Sequence, residues 1–142
     1  MSKNKTYWLC KSEPSAWSWT QQVGAGAKGI AWEGVRNHLA KQNLMKMKKG
    51  DQVFFYHSNE GKEIVGIVDV VKEHYPDPSA EKGDPWVAVD IKALTPLPKP
   101  VTLAAIKAEP KLARMSLITS ARLSVQPVTA SEWAIICKMG GA

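Results

Sequence analysis

Three extended stretches in the middle of the chain limit its fold more than any other feature: DQVFFYHS (51–58), EIVGIVDVVKEHY (63–75) and WVAVDIKAL (86–94). Each is rich in β-branched or aromatic residues and is bordered by Gly, Pro, Asn or Asp. In the third, Val87, Val89 and Ile91 fall on one face and Asp90 and Lys92 on the other, the period of a strand. Along DQVFFYHS, Phe54, Tyr56 and Ser58 alternate with Val53, Phe55 and His57, and only one of those faces is expected to fill a core. The polar link from Asn59 to Lys62, with Gly61 in the turn, joins the first two stretches as a hairpin. YWLCK (7–11) and RLSVQPV (122–128) read as the first and last strands. Five or six short strands, mostly hairpin-linked, predict an α+β fold: a small mixed β-barrel with peripheral helices rather than a doubly wound parallel sheet.

The helices are shorter and less regular. SAWSWTQQV is expected to start one with Ser15 as cap, and Gly24, Gly26 and Gly29 mark a flexible connection. From Gly34 to about Lys48 the spacing is helical, with Val35 and Leu39 in one row and Arg36, Ala40, Leu44 and Met47 in the next, until KKGD ends it. Pro96, Pro98 and Pro100 are expected to interrupt the chain. VTLAAIKAEP forms a short helix stopped by Pro110, and TASEWAIICKM a last one, capped by Thr129 or Ser131 with Glu132 in its first turn. A chain of 142 residues can bury its own core, so residues 1–142 are expected to form one domain.

Several function classes lack the residues they need. The longest apolar stretch, IVGIVDVV, is far too short to span a bilayer, and no apolar run follows the early lysines. An intracellular protein is therefore expected, cytoplasmic or, in a eukaryote, nuclear, with no membrane partner. Cys10 and Cys137 stand far apart with no CxxC or Cys/His cluster, which points to reduced thiols and argues against a metal site or a disulfide framework; no cofactor is expected. The phosphate-binding GxxxxGK[ST], the dinucleotide GxGxxG after a strand, GxSxG and HExxH are all missing. Lysine and arginine number 19 against 13 acids, a net charge of +6, which makes a polyanion, nucleic acid foremost, the expected partner.

Candidate site residues follow from strand ends and turns. In KSEP, Lys11 and Ser12 leave a strand where side chains commonly reach a site. Ser beside Lys can act as nucleophile and base, but strand neighbours point opposite ways, and turn formation explains Ser12 and Glu13 more simply. In RLSVQPV, alternation puts Arg122, Ser124 and Gln126 on one face, able to look into a cleft, although a half-solvated strand has the same pattern. YPDP (75–78) is a rigid turn that could present Tyr75. His57 has no acid or base partner nearby in sequence and reads as an ordinary histidine. Of the six tryptophans, Trp133 reads as core, whereas Trp32 and Trp86 each begin an element beside Gly34 or Pro85, where a ring stays open to a flat ligand. Lys41, Lys46, Lys48 and Lys49 cluster near a helix end, a solvated face in the simple reading and a phosphate contact in the functional one.

Taken in order, YWLCKSEP, WEGVRNHLAKQNLMKMKKGD, VFFYHSN, IVGIVDVVKEHYPDP, WVAVDIKAL and RLSVQPVTASEW resemble the EVE domain family over nearly the whole chain, from Tyr7 to about Ile136. The resemblance implies a PUA-like barrel, related to YTH readers of methylated adenosine and to ASCH domains. It also implies a pocket for a single modified base, such as methylated or hydroxymethylated cytosine. By motif, the pocket wall falls on Lys11 and Ser12, on Trp32, Val35 and Asn37, on Tyr56, His57 and Ser58, on Tyr75, Pro76 and Asp77, and on Arg122, Ser124 and Gln126. Trp32 is expected to supply the wall and Asn37 the edge contact. Arg36 is expected to bind phosphate, with Lys46, Lys48 and Lys49, or to pair with an acid such as Glu33 or Asp77. A non-catalytic reader of DNA or RNA is the leading expectation. A hydrolase of modified nucleosides using Lys11, Ser12 or Glu13, and a general RNA-binding module, are the alternatives.

Overall fold

The computed structural model describes residues 6–26, 28–58 and 61–142. Among them six strands, β1 (Tyr7–Ser12), β2 (Ile30–Trp32), β3 (Gln52–His57), β4 (Glu63–Pro76), β5 (Val87–Thr102) and β6 (Val125–Val128), join in one mixed sheet of order β2-β5-β4-β3-β1-β6. The β1–β3 pair is parallel and its neighbours are antiparallel, and the sheet curls into a half-barrel. Five helices surround it: α1 (Trp19–Gly24), α2 (His38–Lys46), α3 (Leu103–Ala108), α4 (Ser116–Thr119) and α5 (Ala130–Met139).

Both faces of the sheet are buried. Along β3, Val53 and Phe55 join a core closed by Leu44 and Met47 at the α2 side, while Phe54 and Tyr56 join a second core with Ile106, Leu117 and Ile136 of α3, α4 and α5. The expectation that one face of β3 would stay outside the core therefore fails, because helices cover each side of the sheet. Each fully buried large apolar side chain contributes about 1.5–3 kcal/mol. Trp133 belongs to the core as expected, stacked on Phe54 at 3.8 Å and on Tyr7 at 4.5 Å between ring centres.

Several boundaries move for local reasons. The cap of α1 is Ser18, not Ser15, and it forms a capping box with Gln21. Gly34 takes a φ of 83°, outside the helical region, so α2 begins only at His38, and Leu39 is exposed rather than part of an apolar row. β5 runs on through Pro96, Pro98 and Pro100: β2 pairs only with residues 89–91, so this stretch has β4 as its strand neighbour, and missing N–H groups are tolerated where no second ladder forms. The β3–β4 hairpin forms as expected, although Asn59 and Glu60 of its turn lie outside the described residues, as does Ala27 of the glycine-rich connection. The cap of α5 is Thr129, in a capping box with Glu132. Sequence spacing missed β2, α4 and a 3-10 turn at Pro110–Leu112, all too short to show a period.

Candidate functional site

An open cleft of about 520 Å³ lies where the end of β1, the segment after it, β2, the link to α2 and the approach to β6 converge. Its size falls in the range of small-molecule sites, about 300–1,000 Å³. Apolar walls come from Trp17, Ile30, Trp32 and Val35; polar groups come from Lys11, Ser12, Glu13, Glu33, Arg36 and Ser124. Trp32, expected to begin an element with its ring open to a ligand, instead ends β2 and belongs to the core: it is only 9% exposed and meets Phe55 edge-on at 5.8 Å, so just a margin of the ring reaches the cleft. Trp17 is less buried and is held by a hydrogen bond from Nε1 to Oε1 of the buried Gln22 at 2.8 Å.

The floor at β1 is pinned from several directions. Ser12 Oγ donates to the Trp17 carbonyl at 2.5 Å, which leaves its lone pairs for an incoming donor. Lys11 Nζ donates to the Ala121 carbonyl, and burial lowers the pKa of its ammonium. With both side chains directed to carbonyls, no hydrogen bond joins Ser12 to Lys11, and the pairing a serine nucleophile and lysine base require is not formed. Behind the cleft, the Ser58 N–H donates to the Ser12 carbonyl at 2.9 Å. His57 Nε2 accepts from the Trp19 N–H at 3.1 Å, and burial lowers its pKa against the opposing pull of Glu63. Tyr56 is buried in the second core, with Lys11 Nζ 6.0 Å from its ring centre, and burial raises its pKa. These three support the floor from outside the cleft lining.

The opposite rim depends on Asp77. Its carboxylate accepts from the Gly34 N–H at 2.8 Å, from Arg36 Nη1 at 2.9 Å, and from the Ser79 N–H and hydroxyl at 2.6 Å each. Burial alone would raise its pKa, but the hydrogen bonds from Ser79, Gly34 and Arg36 outweigh it and bring it down to about 2. Of the two acids considered for Arg36, the structure pairs it with Asp77, and its Nη2 reaches Ser79 Oγ at 3.2 Å. The positive φ of Gly34 lets the link turn sharply here and exposes its backbone to the cleft.

Other expected residues stand elsewhere. Asn37 Oδ1 accepts from the Ala40 N–H at 2.9 Å as the N-cap of α2, and Asn37 lines a separate depression together with Arg122. Gln126 is fully buried: its Nε2 donates to the carbonyls of Ser116, Ser120 and Leu123, which ties the preceding segment to β6, and it is not among the residues that line the cleft. β6 begins only at Val125, so the alternation expected across Arg122, Ser124 and Gln126 does not hold over its full length. Tyr75 and Pro76 line a different hollow, where the Tyr75 hydroxyl donates to Asp90; burial and that hydrogen bond push its pKa up to about 12. Lys46, Lys48 and Lys49 are exposed at and beyond the end of α2. Sequence reasoning missed Trp17, since the helix expected from Ser15 placed it on a helix face rather than in the turn before one, and it missed Ile30 and Ala31 because β2 is too short to show a period.

The EVE domain model matches residues 6–139. The chain belongs to the EVE domain family. Mouse thymocyte nuclear protein 1 is 34% identical over 94% of this chain and 73% of its own length. An Agrobacterium tumefaciens protein of known crystal structure is 54% identical, with a TM-score of 0.94 over 96% of this chain and 93% of that one. Human THYN1, solved in complex with DNA containing 5-methylcytosine, is 31% identical, with a TM-score of 0.88 over 97% of this chain and 99% of its own. A YTH domain from Zygosaccharomyces rouxii, 14% identical with a TM-score of 0.58, shares the fold with this EVE domain. The half-barrel is thus the PUA-like architecture that the sequence motifs implied. Among the described residues no helix is long and apolar enough to cross a membrane.

Proposed function

We propose that this EVE domain is a nucleic-acid-binding module that holds one modified base, cytosine bearing a methyl or hydroxymethyl group, in the cleft beside Trp17 and Trp32. The observation that carries the reading is the lining itself: indole and aliphatic walls face polar groups that are already fixed in place. A base has a flat apolar face and a hydrogen-bonding edge, and a site of this composition complements both. The solved complex of human THYN1 with 5-methylcytosine DNA supports the choice of modification.

In this reading the indole of Trp17 stacks on the base, and Ser12, Ser124 and Glu33 meet its edge, since the Asn37 side-chain carbonyl is occupied in capping α2. Arg36, held by Asp77 but still 40% exposed along its side chain, meets the phosphate at the rim. A base drawn from a duplex must first be extruded, at a cost of about a few kcal/mol. The chain then acts by binding rather than by turnover.

Equilibrium binding to matched oligonucleotides with and without a single 5-methylcytosine tests the proposal. The intact chain is expected to prefer the modified strand, and Trp17→Ala to weaken that binding about tenfold, the loss typical of one stacking platform. Equal affinity of the intact chain for both strands would overturn it.

A further inference from the structure

Trp86 is half-buried, and the base-holding cleft makes no use of it. It lines a second hollow of about 370 Å³ together with Lys41, His74 and Tyr75, with Asp84 also at its edge. The His38 ring lies 4.9 Å from the Trp86 ring, tilted by 33°, and the Arg36 guanidinium centre lies 5.7 Å from it. Lys72 Nζ stands 4.5 Å from the Tyr75 ring centre in the same region. A large ring with the Arg36 guanidinium over it and Lys41 lining the same hollow, on a chain of net charge +6, suits a ligand that alternates flat rings with negative groups.

The two hollows are joined through Asp77 and Arg36. Asp77 holds the cleft rim through its carboxylate, at Gly34 and Arg36, while its backbone N–H donates to the Trp86 carbonyl at 3.0 Å. Arg36 itself lines the cleft on one side and meets Trp86 on the other. We infer that Trp86, with Arg36 and His38, is a stacking ledge for the nucleotide next to the one held in the cleft, on the same single strand. Arg36 then meets the phosphate between the two nucleotides. This rests on the base-reading proposal for the identity of the neighbouring site, but the ledge itself binds without regard to modification, because every base offers a π-face.

The test compares the intact chain with Trp86→Ala and Trp86→Phe. The probes are a short single strand carrying one central 5-methylcytosine, the same strand with an abasic residue on either side of it, and free 5-methylcytidine monophosphate. Trp86→Ala is expected to weaken binding of the full strand about tenfold and to leave the mononucleotide unaffected, and Trp86→Phe to recover most of the loss. An abasic residue on one flank, but not the other, should reproduce the loss in the intact chain, and Trp86→Ala should then add nothing further. Equal effects of Trp86→Ala on strand and mononucleotide, or indifference of the intact chain to both abasic positions, would overturn the ledge. A strand bound with the same affinity whether or not its cytosine is methylated, yet still sensitive to Trp86 and to one flanking base, would refute base reading while supporting the ledge.

Discussion

The ionised carboxylate of Asp77 holds the cleft rim at Gly34 and Arg36. Its pKa in the fold, about 2, lies below its ordinary 3.8, so its contribution to stability is complete above that ordinary value and fades as pH falls through the folded one. Asp77→Asn is expected to lower stability at neutral pH by about 1.5–3 kcal/mol and to flatten the acid limb of a plot of melting temperature against pH. An unchanged acid limb in thermal melts would place the sensitivity elsewhere. The two cleft tryptophans call for different experiments: Trp32→Ala removes a buried ring and costs about 3–5 kcal/mol, whereas Trp17 can be truncated with less damage. At this scale the sequence displayed Lys11, Ser12, Trp32, Val35 and Ser124, which sit at strand ends or beside Gly34 and do line the cleft. It could not display the placement of Asn37, because the amide that suits a base edge equally suits a helix cap, and only the start of α2 decides between them. The isolation of Gln126 from the cleft was equally hidden, since an alternating polar residue and a buried staple read the same.

Among the elements, α1 is the most dependent on its ends. It has six residues, too few for intrinsic stability, and its first N–H groups are met by Ser18 Oγ and by His57 Nε2. Ser18→Ala is expected to cost about 1 kcal/mol, and Ser15→Ala, in the exposed turn before it, close to nothing; chemical denaturation of the two variants separates them. Strands with strong alternation, β3, β4 and the first half of β5, were legible because their period follows from pleating alone. The second half of β5 was not, because proline is a breaker only where a ladder on both sides requires its missing donor. The short β2 and α4 exist through tertiary pairing, which no local pattern records.

At the scale of the whole molecule, the net charge of +6 and the strand order are the features that bear on binding. The exposed Lys48 and Lys49 lie apart from the cleft lining, so their removal should act on all strands alike. Replacing both with Gln is expected to weaken modified and unmodified strands equally and to reduce the dependence of log affinity on log salt by about 0.7–0.9 for each phosphate no longer neutralised. A titration of binding between low and moderate salt measures that slope. The architecture was legible as a small mixed barrel because hairpin-linked strands with few helices leave few alternatives, and the EVE motifs narrowed those to one. How completely helices would cover both faces of the sheet was not, since core membership on β3 depends on what packs from outside. β2 and β6 are the two outermost strands, yet both borders feed the same cleft, through Ile30 to Trp32 on one side and Ser124 on the other, and α2 spans the gap with Asn43 Nδ2 donating to the Val125 carbonyl at 2.7 Å. A guest seated there would be a stitch across an open seam, fastening margins that strand pairing leaves unjoined and resisting their separation.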